Sequence, residues 1–238
     1  MSDKKKPKNF TGITPKGVFK FPNLTKPDFG TKEHPKEGGE YNVRLVMTHD
    51  EAEPLLADLE PVIEKARAEA EEAFAKLPVA TRKKIGDIKE NPVFNEIYDK
   101  ETEEPTGEIE FRFSMKASGK NDKDEKWERK PTIFDAKGKP VTLKSIWGGT
   151  KGKVSFEAVP YFVNGSGAWG VKLYLRAVQI IELNKGGGRS ASDFGFGAED
   201  GFDGSEVEED EGSPFGDESN GHDDEGAGNG SAGGPEDF

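Results

Sequence analysis

Four segments of this chain alternate apolar and polar residues with a period of two, as half-buried strands do. Glu40 to Met47 places Tyr41, Val43, Leu45 and Met47 on one face. From Glu108 onward, Ile109, Phe111, Phe113 and Met115 point one way, and Glu110, Arg112, Ser114 and Lys116 the other. Lys153 to Val163 sets Val154, Phe156, Ala158 and Phe162 against Lys153, Ser155, Glu157 and Tyr161. Trp169 to Leu183 sets Val171, Leu173, Leu175 and Ala177 against Lys172, Tyr174 and Arg176. The last two segments are joined by Asn164, Gly165, Ser166 and Gly167, which reads as a hairpin loop. Lys16 to Leu24, with Phe19 and Phe21 one strand period apart, is a further strand, and Lys130 to Phe134 a shorter one before the turn at residues 135–139 and the segment Val141 to Trp147.

Between Asp50 and Leu77 the period changes. Leu55, Leu59, Ile63, Ala66, Ala70, Phe74 and Leu77 recur at spacings of three and four, the stripe of one long helix. Asp50 is a candidate cap, but an interior proline costs ~3 kcal/mol, so Pro54 and Pro61 place the start of the regular helix near Asp58. Val79 to Asn95 reads as irregular. The expected class is mainly β: antiparallel strands, with a helix inserted after the second, closing fully or partly into a small barrel that leaves no exposed edge.

Charge divides the chain. All 34 Lys and Arg precede Ser190 along with 30 of the 46 Asp and Glu, a balance of +4; the last 49 residues carry the other 16 acids and no base. Their five scattered Phe show no period, and so little apolar surface cannot offset the entropy of ordering. The expected organisation is a flexible basic arm over residues 1–15, one barrel domain over 16–184, and a disordered acidic tail over 185–238. With no Cys, thiolate catalysis and Cys-based zinc sites are excluded. No run approaches the ~18 apolar residues of a membrane span. Gly165, Gly167 and Gly170 match a dinucleotide-binding spacing, but a strand follows them where a helix N-terminus is required. Three unpaired His and no carboxylate cluster leave no catalytic constellation, so neither an enzyme nor a cofactor is expected.

The polar strand faces carry the positive chemistry. Arg44, Arg112, Lys116, Lys153, Lys172 and Arg176 project opposite the apolar residues, and Tyr161 and Tyr174 share that side. Cations neutralise phosphates and release counterions, while an aromatic face stacks on an unpaired base whatever its identity. A single-strand-binding surface fits this set, and the acidic tail then becomes a competing polyanion. Merely solvated strand faces fit it too. Two other classes stay open: an acidic-tailed interaction module or chaperone without DNA binding, and a magnesium-dependent nuclease.

Several short motifs occur in a characteristic order: Thr25 to Gly30 (Thr-Lys-Pro-Asp-Phe-Gly); Val159, Pro160, Tyr161; Val171, Lys172, Leu173; Ile181, Glu182, Leu183; and the acidic tail ending Glu236, Asp237, Phe238. In these the chain resembles the single-stranded DNA-binding proteins of podovirus-type (autographivirus) phages over nearly its full length. The resemblance implies a five-stranded oligonucleotide/oligosaccharide-binding (OB) barrel, binding without sequence preference, annealing, and roles in replication, recombination and repair in the cytoplasm of the infected bacterium. It also implies a homodimer, with the tail lying over the DNA groove and docking the phage DNA polymerase and primase-helicase through its terminal aromatic, here Phe238 beside Glu236 and Asp237. Tyr161 matches a DNA-contacting aromatic of the family and Arg112 a basic contact. Lys116 stands where the family pattern can have an aromatic, so a charge replaces one stacking contact.

Overall fold

Each alternating segment finds its neighbour in register. The computed structural model describes residues 9–184 and Gly186. In chain order its elements are β1 (Phe10–Ile13), β2 (Gly17–Gly30), β3 (Pro35–Thr48), α1 (His49–Ala75), α2 (Val79–Ile85), β4 (Lys89–Asn91), β5 (Phe94–Tyr98), β6 (Pro105–Lys116), β7 (Ser118–Lys120), β8 (Lys126–Glu128), β9 (Thr132–Phe134), β10 (Lys151–Phe162) and β11 (Ala168–Glu182). The acidic tail lies outside the described residues.

Strands β2, β3, β6, β11 and β10 pair in that cyclic order, a closed five-stranded barrel with one parallel neighbour pair, β6 and β11. This is the expected OB barrel. Two joints are long: β3 and β6 pair without interruption from Glu40↔Lys116 to Thr48↔Glu108, and β10 and β11 pair, with two register shifts, from Lys151↔Glu182 to Phe162↔Trp169. Two are short. β6 meets β11 only at Phe113↔Leu173 and Ser114↔Tyr174, and β10 meets β2 only at Lys151↔Val18 and Gly152↔Gly17. At that second joint a Cβ on residue 152 would stand 2.7 Å from the Phe19 ring and 2.4 Å from the carbonyl oxygen of Gln179, so closure there requires glycine.

The inward face of every barrel strand is the apolar one. Phe19, Val43, Leu45, Ile109, Phe111, Phe113, Val154 and Phe156 are fully buried, and the rings of Phe113 and Phe156 meet at 5.5 Å in a tilted pair. Helix α1 packs against β3, β6, β10 and β11 through Ala52, Leu55, Leu59, Ala66 and Ala70. It begins nine residues before the start at Asp58 that its prolines suggested. Thr48 caps it, accepting from the Glu51 N–H, while the Glu51 side chain accepts from the Thr48 N–H at 3.0 Å. Pro54 and Pro61 are exposed, and so are Asp50 and Ala57, whose carbonyls the prolines leave without a helical donor; water can reach them.

Other departures come from short or bulged elements. Residues 10–13, expected in the flexible arm, form β1 on the edge of β10; Phe10 packs on Phe156 at 6.1 Å, and the Thr14 hydroxyl accepts from the Val154 N–H. Residues 79–95, expected to be irregular, contain α2, β4 and the start of β5. Residues 141–147 form no strand. On β11 the register shifts between Leu175 and Ala177, so the buried set continues as Val178 and Ile180 and not through Ala177. On β2 an extra residue between Lys20↔Arg44 and Asn23↔Asn42 puts Phe21 at φ 46° and turns its ring out, so Phe19 and Phe21 do not share the core.

Replacing Thr48 with Ala removes the hydroxyl that accepts from the Glu51 N–H and leaves the backbone half of the cap, and thermal melting should show a loss of about 1 kcal/mol. An unchanged midpoint would mean that burial of Ala52 and Leu55 alone fixes the helix start.

Candidate nucleic-acid interface

The outward positions of the barrel strands fall into a transverse row. Lys20 on β2 pairs with Arg44 on β3, and Arg44 pairs with Arg112 on β6. The parallel pair Phe113↔Leu173 then sets Lys172 of β11 beside Arg112. Four cations thus cross four strands. Like charges directly opposite one another oppose pairing, and the fold offsets them with carboxylates on the same face. Glu110 takes Arg44 at 3.1 Å, and Glu40 takes Arg112 at 3.3 Å and Lys36 at 3.5 Å. Lys36 also bonds Asp28 and holds that carboxyl below the usual carboxylate range; partial burial opposes this, while the Gly30 N–H and Asn42 add to it.

Beside the short β6–β11 joint the surface opens into a groove of about 500 Å³ lined by Arg112, Tyr161, Lys172, Ser114, Val93 and Asn95, among others. Tyr161 is half-buried at the far end of β10, opposite Gly170 on β11. A Cβ on residue 170 would stand 2.7 Å from the Asn91 carbonyl oxygen and 3.3 Å from the Tyr161 ring, so glycine there admits both β4 and the ring. Asn91 at the end of β4 donates to the Tyr161 hydroxyl at 2.8 Å and fixes its tip. The Lys172 ammonium lies 5.2 Å from the ring centroid of Tyr174, which is 40% exposed. The groove therefore places two cations next to a held aromatic edge, the combination that an unpaired, phosphate-bearing strand requires.

The structure brings together only part of the predicted set. Arg112, Tyr161 and Lys172 share the groove, and Arg44 is the next cation in the row. Lys116 is exposed on the same face of β6, four residues beyond Arg112, with no ion pair among the described residues. Lys153 stands apart. It lies eight residues from Tyr161 along β10, on the order of 26 Å at ~3.3 Å per residue, and lines a different depression with Ile13, Phe134 and Gln179. Alternation gave its face correctly but not its distance from the groove. Glu236, Asp237 and Phe238 lie outside the described residues. Sequence reasoning missed Lys20, legible as the outward residue between two Phe, and the groove wall at residues 91–95, whose short strands carry no periodic signal. Among the described residues no three His, Asp or Glu gather as metal ligands would.

The family described as "Single-stranded DNA-binding protein, Bacteriophage T7" matches residues 18–183. The chain is 30% identical over 193 residues to the single-stranded DNA-binding protein of Enterobacteria phage T3, covering 75% of this chain and 78% of that one. It is 28% identical over 173 residues to the protein of that name from Escherichia phage T7, covering 69% and 72%. The crystal structure of gp2.5, a single-stranded DNA-binding protein encoded by bacteriophage T7, superposes with a TM-score of 0.59 at 25% identity, over 85% of this chain and 97% of that one. A barrel whose cation row ends in an aromatic groove, and a family match spanning nearly all of that barrel, lead to one conclusion: the chain belongs to the single-stranded DNA-binding protein family of bacteriophage T7.

Proposed function

We propose that the chain binds single-stranded DNA without sequence preference, and that it does so in the groove between β6 and β11. The observation that carries this reading is the convergence of Arg112, Lys172 and Tyr161 in one groove. Arg112 and Lys172 take phosphates, and Tyr161 stacks on a base. Lys116 and Arg44 extend the phosphate track. Arg112 reaches the strand by exchanging Glu40 for a phosphate, so its contribution is a difference between two ion pairs. The reading is of a binding protein and not an enzyme, in keeping with its family.

Around this function we place the protein in phage DNA replication, recombination and repair, protecting and annealing single strands as a homodimer in the cytoplasm of the infected host. The family supports that setting. The charge division supports a further role for residues 190–238: sixteen acids on a tether form a polyanion at high effective concentration, able to compete for a basic groove and to present Glu236, Asp237 and Phe238 to the phage polymerase and primase-helicase. Salt weakens tail and DNA contacts alike.

Titration of a labelled oligodeoxythymidine followed by anisotropy tests the groove. Tyr161→Ala should weaken binding by about 1–3 kcal/mol with the salt slope unchanged. Arg112→Gln should instead lower that slope by about 0.7, one phosphate on a single strand. Full affinity in both variants would move the site elsewhere. Deleting residues 190–238 should tighten binding at low salt, with the gain shrinking as salt rises; equal affinity at every salt concentration would remove competition from the tail's role.

A further inference from the structure

Phe21 departs from the burial of the phenylalanines that fill the barrel core. Phe19, Phe111, Phe113 and Phe156 are fully buried, whereas Phe21 is 69% exposed. Its φ of 46° is left-handed, a conformation that a bulky L-residue adopts only when its surroundings impose it, and such strain gathers at ligand contacts. The imposing feature is the bulge on β2. One extra residue lies between the pairs Lys20↔Arg44 and Asn23↔Asn42, and it re-aims the ring outward. The ring then stands beside the cation row, with the Arg44 guanidinium 5.5 Å from its centroid. Glu110 holds that guanidinium from the β6 side, so Arg44 is fixed against the ring.

We infer that Phe21 is a second base-stacking platform at the β2 end of the row Lys20, Arg44, Arg112, Lys172. A single strand then crosses β2, β3, β6 and β11 transversely, stacked on Phe21 at one end and on Tyr161 at the other. This rests on the single-strand reading above and adds to it a direction across the barrel and a second anchor. Three strand spacings of ~4.8 Å separate the outer cations by about 14 Å along the surface, within the footprint of one barrel of this kind. Arg44 covers the ring from one side. A base meeting the other completes a cation–ring–base stack in which Arg44 also neutralises a phosphate.

Strain makes the test specific. Glycine suits the left-handed conformation, so Phe21→Gly keeps the bulge; a purely structural Phe21 would lower the melting temperature and leave affinity unchanged. The expected result is a melting temperature equal to or above that of the unaltered protein, with about five- to tenfold weaker binding of oligodeoxythymidine and an unchanged salt slope. Phe21→Trp should retain affinity, and its added indole should be quenched on titration. Undiminished affinity in Phe21→Gly, or an indole in Phe21→Trp that the oligonucleotide leaves unquenched, overturns the second platform while leaving the Tyr161 groove standing. Failure of the unaltered protein to bind oligodeoxythymidine overturns both.

Discussion

The uninterrupted register of β3 on β6, nine residue pairs from Glu40↔Lys116 to Thr48↔Glu108, is the constraint from which the rest of the architecture follows. Side chains alternate with a period of two, so one register decides two things at once. It puts Val43, Leu45, Ile109, Phe111 and Phe113 into a common core, and it brings Arg44 and Arg112 face to face outside. A slip of β6 by one residue would bury Arg112 and expose Phe111 and Phe113. The core thus enforces the interface, because the charged row cannot separate without loss of hydrophobic burial.

That coupling explains the acidic residues beside a row of cations. Held opposite one another by the register, Arg44 and Arg112 repel, and Glu110 and Glu40 each take one of them. Lys36 and Asp28 extend the Glu40 side of the network to the end of β2. The pairs are solvent-exposed on the cation side and contribute little net stability. Their effect is positional: each guanidinium is held near the groove before any ligand arrives.

Legibility in the sequence followed element length. β3, β6, β10 and β11 each span a dozen or more residues, and their alternation predicted both the buried set and the outward cations. Helix α1 was equally clear in its stripe, but its start was hidden: the capping box at Thr48 and Glu51 and the burial of Ala52 and Leu55 outweigh two prolines that lie on the solvent side. Elements of three to five residues, such as β1, β4 and β5, offer too few positions for a period to register. Bulges were the other obstacle. At Phe21 and between Leu175 and Ala177 one additional residue reverses the inward–outward assignment of everything after it, and only the partner strand reveals the reversal. For Lys153, alternation fixed a face of β10 but not a distance to the groove.

The two short joints divide the barrel's backbone pairing into two ladders, β2–β3–β6 and β10–β11, that share only two residue pairs at each boundary, with α1 packed against both. Spreading β6 from β11 therefore breaks two pairs and leaves the long ladders whole. Local opening on that side is far less costly than unfolding, and it changes the width of the space between Arg112 and Tyr161. The joint that costs least to open therefore borders the groove, so the width of that cleft rests on two residue pairs and not on the long ladders.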